Sequence, residues 1–351
     1  MTLVLGLAVA LFALGMLGVP KALSMDADDF MAPVITSCVN GLFISIVFLS
    51  HAKDYVPEEA FGPLDEGCLK VVSYLGQLMV TTFLFYSGFG AMESIKHKPG
   101  YIKAFPARRI LPFLLDVWIA LAVYLVLLPI RGGQTNVETV LLAMVGWKSL
   151  GNSNWYIFAI LAMWVATYVA FRVFPDEKQR PLGVALVTVL SLLYAWVLRH
   201  DEIGSHFYKT IVCYPAGMAL SLVVERVRSL KLDSLRMLPV WALLFVGSVA
   251  ALVYLHGKRG SGLSWYFAMT LAFCATALML QMRMRHVSKP LYYAGRYLFF
   301  FYIYQRVPMF LLRPIATRGA LPFVLACLVT GIPFCLLMAR AHAAIKKRIF
   351  A

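Results

Sequence analysis

The sequence predicts an all-α polytopic membrane protein, a bundle of about 10–11 transmembrane helices. Three observations carry this. Of 351 residues, 61% are hydrophobic and only 14% are charged, with a mean hydropathy of +0.77. A soluble chain of this length has no means of burying that much apolar surface. The apolar residues also gather in runs of roughly 20, the length at which a helix crosses a hydrocarbon core. Finally, no polar stretch between the runs is long enough to hold a core of its own, so residues 1–351 read as a single transmembrane domain.

In chain order, the runs lie at about 2–19, 33–51, 69–92, 106–130, 154–173, 182–198, 207–225, 237–255, 263–281, 290–312 and 320–339. The first lacks a preceding basic segment and a following small-residue cleavage site, so it reads as a retained span, not a signal peptide. Residues 1–30 then form an extra N-terminal span and its connection. Residues 138–150 are apolar but short, with Gly146 and Gly151 near their end, and read as a re-entrant or surface helix. No internal repeat marks two halves.

The net charge is +15, which in a soluble protein would raise nucleic-acid binding. Here the Lys and Arg lie between apolar runs, so they read as topology signals and no nucleic-acid partner is expected. Twenty of the 32 fall in one alternating set of connections and ten in the other; Arg296 and Arg306 lie within a span. The richer set belongs in the cytoplasm. That places the C-terminus inside a cell (inner) membrane, His51 at the outer face, and Arg108 and Arg109 at the inner face. The six cysteines form no CxxC pair, and five sit in apolar runs. They read as small core residues, with no disulfide framework and no metal site.

Chemistry centres on His51, which closes an apolar span without an adjoining basic cluster. An imidazole, with an unperturbed pKa near ~6.5, takes a proton from a hydroxyl at neutral pH. The plainer reading is an interfacial histidine with its tip among headgroups. Asn40 lies eleven residues earlier, about three turns and roughly 16 Å along the same helix face. Ser45 shares the helix, and Asp54 orients the ring if the helix continues past it.

Arg108 and Arg109 follow Pro106 at a helix start, where free N–H groups and guanidinium forks suit a phosphate; a positive-inside anchor is the alternative. Asp116 and Arg296 fall in the same half of the membrane and are expected to pair, because a lone intramembrane charge is costly. Arg306 either snorkels or faces a cavity. Trp155 and Tyr156, and later Tyr304 and Gln305, read either as an aromatic belt or as a sugar-binding platform. The carboxylates of the 52–68 connection, Asp54, Glu58, Glu59, Asp65 and Glu66, are expected to be solvated.

On these residues the chain resembles the bacterial integral-membrane acyltransferase-3 family, of the polysaccharide O-acetyltransferase type. Asn40 to His51 resembles the family's early helix that ends in His, with a polar partner eleven residues before. Ser87-Gly88-Phe89 within Phe85–Phe89 is similar to its Ser-Gly-Phe segment. Arg108-Arg109-Ile110-Leu111 is similar to an arginine-rich helix start, and Asn154-Trp155-Tyr156-Ile157-Phe158 to a Trp-Phe-Leu-type helix opening. Gly295-Arg296-Tyr297-Leu298 with Tyr302-Ile303-Tyr304 resembles a late Tyr-rich segment. The resemblance covers residues 33–312. Asn40 stands where the family usually has Arg, Pro112 replaces a third arginine, and Gln305 replaces a late His.

The resemblance implies a membrane O-acyltransferase, of the O-acetyltransferase kind, whose partners are membrane lipid, acyl-CoA and a glycan or lipid-linked saccharide. No cofactor is bound permanently; acetyl-CoA, or another acyl-CoA, is the donor substrate. Its phosphates would meet Arg108 and Arg109 from the cytoplasm, its thioester arm would enter the bundle, and His51 would act as base or acyl relay toward a hydroxyl outside. Asn40, Ser87 and Tyr304 remain open as donors to the oxyanion. A transporter or flippase of a polar lipid-linked substrate is the alternative, although such folds usually show repeated halves. A membrane polymerase or glycosyltransferase would need a catalytic carboxylate or a large outer loop.

Overall fold

The computed structural model describes residues 29–62, 65–130, 132–283 and 287–350. The expected span at 2–19 lies outside the described residues. The chain runs through α1 (Pro33–Ala52), α2 (Asp65–Leu75), α3 (Thr81–His97), α4 (Tyr101–Phe105), α5 (Leu111–Ile130) and α6 (Val137–Ala143). It continues through α7 (Trp155–Val173), α8 (Arg180–His200), α9 (Cys213–Ser229), α10 (Leu238–Gly257) and α11 (Leu263–Arg283). It ends in α12 (Lys289–Arg296), α13 (Leu298–Tyr304), α14 (Arg306–Leu311), α15 (Arg313–Ala316) and α16 (Ala320–Phe350). A π turn, Pro106–Ile110, joins α4 to α5.

Among the described residues, eight helical stretches are long and apolar enough to cross a membrane, as an all-α polytopic membrane protein requires. The expected span at 207–225 is α9, a shorter helix of 17 residues. The expected span at 290–312 is broken into α12, α13 and α14. Pro308 explains one break: it has no N–H to give, and its ring crowds the carbonyl four residues back, at Tyr304. The last helix runs past residue 339 to Phe350.

The chain divides into two compact units: Met1–Met79, Leu114–Asn154 and His286–Ala351 in one, Val80–Phe113 and Trp155–Arg285 in the other. In the first unit, α1 and α12 touch through glycine. Gly41 faces the Leu291 carbonyl and Gly295 faces the Ser37 carbonyl, so close that a Cβ on either would overlap the oxygen. Without a hydrophobic drive between helices in lipid, such small-residue contacts are what lets backbones pack. The C-terminal end of α1 joins α2, α14 and α16 in an apolar cluster that includes Leu49, Val72, Met309, Phe323 and Cys327. Tyr124 of α5 donates to the Ile303 carbonyl of α13 at 2.6 Å.

The second unit repeats the device. Gly88 of α3 faces the Tyr214 carbonyl of α9, and Gly217 of α9 faces the Phe85 carbonyl of α3. Trp241 donates to the Met279 carbonyl at 2.8 Å, tying α10 to α11. The apolar stretch of α10 has no buried residue, which suits a lipid-facing helix. All six cysteines are buried, as expected of small core residues.

Candidate active site

His51 sits on the last turn of α1. Two side chains from distant stretches of the first unit meet its Nδ1. Ser153 Oγ lies 3.3 Å away, and Arg306 Nε, at the start of α14, lies 3.2 Å away. Arg306 Nε is also 3.3 Å from Ser153 Oγ. The three groups therefore form a closed triangle of imidazole, hydroxyl and guanidinium. Arg306 faces this cluster instead of snorkelling to the surface. Arg306 also lines a narrow crevice with Tyr55, Tyr124 and Gly151, too tight to hold a water molecule. Ser153 is not apparent from sequence, because nothing local marks it; only the fold brings it 102 positions back to His51.

Asp54 plays no part in holding the ring. The α-helix ends at Ala52 and tightens into a short 3-10 turn, Lys53–Tyr55, leaving Asp54 exposed. Ser45 turns its hydroxyl onto the Gly41 carbonyl at 2.8 Å. Asn40 lies on the same helix, its Oδ1 buried without a partner among the described residues. Asp65 is the exception among the loop carboxylates expected to be solvated. It is buried, and its Oδ2 accepts the Gly62 N–H at 2.7 Å.

The expected pairing of Asp116 with Arg296 does not form. Asp116 Oδ1 is 2.9 Å from His342 Nδ1, and its Oδ2 accepts from Lys346 at 2.7 Å. Arg296 donates to the Tyr292 hydroxyl at 2.9 Å instead. Both new partners lie on the part of α16 beyond the expected end of the last span, one helical turn apart. The chain of contacts continues inward, since the Tyr304 hydroxyl is 2.8 Å from His342 Nε2. Tyr304 is fully buried. Its neighbour Gln305 is also buried, its amide nitrogen donating to the Tyr302 carbonyl at 3.0 Å and its Oε1 unpartnered among the described residues.

In the second unit, Arg108 and Arg109 project from the π turn Pro106–Ile110 and are exposed. A π turn inserts one residue into the helical ladder, and here the Leu111 N–H reaches back to the Pro106 carbonyl. The Arg109 guanidinium lies 4.6 Å from the ring centre of Trp164, which holds it by cation–π attraction. Trp155 and Tyr156 open α7 in the same unit, edge-on to each other, with Tyr156 against Phe83 and Trp155 against His206. Ser87 Oγ is buried there without a partner among the described residues.

A polytopic helical bundle that aims a hydroxyl and a guanidinium at one imidazole carries the groups that acyl transfer uses, and the class is a membrane acyltransferase. Comparison with family models makes this specific. Residues 37–340 match the Acyltransferase domain of the acyltransferase-3 family, and the chain belongs to that family. The match continues past the 33–312 region of sequence resemblance into α16. No curated protein matches the chain, and no solved structure does.

Proposed function

We propose that this membrane acyltransferase moves an acyl group, acetyl by preference, from cytoplasmic acyl-CoA to a hydroxyl of an extracytoplasmic or lipid-linked glycan. The observation that supports it best is the placing of His51. Its ring is clamped at Nδ1 by Arg306 and Ser153, at the end of α1 that charge counting assigns to the outer face. A histidine kept only for its interfacial tip would not recruit a buried serine and an arginine from two other stretches of chain. His51 serves as base or acyl relay, and Arg306 adds a charged donor suited to a developing oxyanion. Asn40 Oδ1, buried without a partner among the described residues, could accept from a substrate hydroxyl that reaches it.

Arg108 and Arg109 bind the phosphates of the donor. They are exposed side by side, and neither has a carboxylate partner among the described residues. Trp155 and Tyr156 offer flat faces to a sugar, and Tyr304 and Gln305 support the site from within the first unit. The membrane is the cell (inner) membrane, with the C-terminus in the cytoplasm. The test is turnover by purified protein given acetyl-CoA and a panel of glycan acceptors, read as thiol release. His51→Ala should reduce it by two orders of magnitude or more, roughly the contribution of a general base. Unchanged turnover would remove His51 from the reaction.

A further inference from the structure

We propose that Ser153 carries the acyl group covalently between donor and acceptor, with His51 as its base and Arg306 as the cation beside its oxygen. This rests on the acyl-CoA donor assigned above and deepens that reading.

The hydrogens of the triangle decide how it is wired. Nδ1 has one lone pair, Arg306 Nε has one proton, and the serine hydroxyl has one proton and two lone pairs. All three are satisfied when Nε–H donates to Oγ and Oγ–H donates to Nδ1, at separations of 3.3 and 3.3 Å. The 3.2 Å between Nε and Nδ1 then closes the third side. A hydroxyl held this way has its proton aimed at a base and its oxygen against a cation, the arrangement that makes serine a nucleophile. Charge that develops on Oγ falls between a guanidinium and a forming imidazolium.

Serines kept for structure in this chain behave differently. Ser45 donates to the Gly41 carbonyl and Ser191 to the Val187 carbonyl, each one turn back on its own helix. Ser153 instead directs its hydroxyl to an imidazole far away in sequence. It is also held firmly. Ser149 Oγ donates to the Asn152 carbonyl at 2.6 Å, and Asn152 Oδ1 accepts the Leu150 N–H at 3.1 Å. Ser153 is 5% exposed, so bulk water competes poorly for an ester formed there.

The cycle balances without another reactant. Oγ attacks the thioester carbonyl as its proton passes to Nδ1. The carbon–sulfur bond breaks, and the CoA thiolate leaves with that proton, leaving an O-acyl serine. An acceptor hydroxyl then attacks the same carbonyl and gives its proton to Nδ1. The bond from the carbonyl carbon to Oγ breaks, Oγ takes the proton back, and the acceptor departs as an ester.

The experiment uses purified full-length protein and radiolabelled acetyl-CoA with no acceptor, quenched in acid and mapped by peptide mass spectrometry. The acetyl group is expected on Ser153. The wild type should also exchange labelled CoA into unlabelled acetyl-CoA without any acceptor, and Ser153→Ala should lose both signals. Ser153→Cys guards against a folding defect. It keeps a nucleophile, so it should trap a thioester that neutral hydroxylamine cleaves. Label on His51 or elsewhere, exchange that survives in Ser153→Ala, or acylation of an acceptor by a wild type that shows no exchange would each overturn the proposal. Equilibrium dialysis with acetyl-CoA separates the two levels. A wild type that binds none refutes the donor assignment and this proposal with it, whereas binding and turnover without acyl-serine refute this proposal alone.

Discussion

Removing the Asp116 carboxylate tests the first unit at its most highly charged interior point. His342 is completely buried, the Asp116 side chain is 11% exposed and that of Lys346 is 30% exposed. Breaking a buried charged pair by deleting one partner costs about 3–5 kcal/mol, because the other charge stays behind unpaired. Lys346 lies near the end of α16 and can turn its ammonium toward the interface, which puts Asp116→Ala at the lower end, about 3 kcal/mol. Asp116→Asn keeps one acceptor for His342 and should cost about half as much. Lys346→Ala leaves Asp116 still bonded to His342 and should cost about 1 kcal/mol. The assay is reversible unfolding in mixed micelles, followed by tryptophan fluorescence. A double-mutant cycle should find coupling between Asp116 and Lys346 and none between Asp116 and Arg296. An Asp116→Ala protein within about 0.5 kcal/mol of wild type, or a coupling to Arg296, would refute this account of the network.

Other substitutions probe the packing and the two ends of the chemistry. Gly295→Ala should cost about 1–3 kcal/mol in the same unfolding assay, because the new methyl forces α12 away from the Ser37 carbonyl of α1; an unchanged midpoint would contradict the close crossing. Arg306→Ala should lower kcat by about 10²–10³ with KM for acetyl-CoA little changed, the pattern of a lost oxyanion donor. Its effect confined to KM would contradict that role. Arg109→Ala should raise the KM for acetyl-CoA roughly tenfold and leave the unfolding midpoint near wild type, while an unaltered KM would remove Arg109 from the donor site.

Most of the fold was legible in the sequence because lipid imposes one rule on every span. An apolar run near 20 residues must be helical, and α1, α5, α7, α8, α10 and α11 fall on such runs. Where the reading stopped short, side-chain detail decided the outcome. The run at 290–312 is apolar throughout its later half, yet Pro308 and the turns at Tyr297 and Gln305 cut it into short helices. Ending the last span at 339 left His342 and Lys346 in a tail, so Arg296 stood as the natural partner for Asp116. The helix in fact continues, because nothing from residue 340 to 350 breaks it, and the nearer His342 and Lys346 take the carboxylate. His51 could be singled out because it closes a span. Ser153 could not, since a polar residue in a Ser- and Asn-rich turn looks like many others until the fold sets it beside an imidazole.

The claim that everything else serves is that acyl groups enter from cytoplasmic acyl-CoA and leave on hydroxyls across the membrane through His51. Proteoliposomes in one orientation, with acetyl-CoA confined to the cytoplasmic side and a glycan acceptor to the other, measure it directly. Acetylated acceptor should accumulate with the wild type and not with His51→Ala. Acetylation that needs both substrates on one side, or that proceeds equally well without the imidazole, would contradict it.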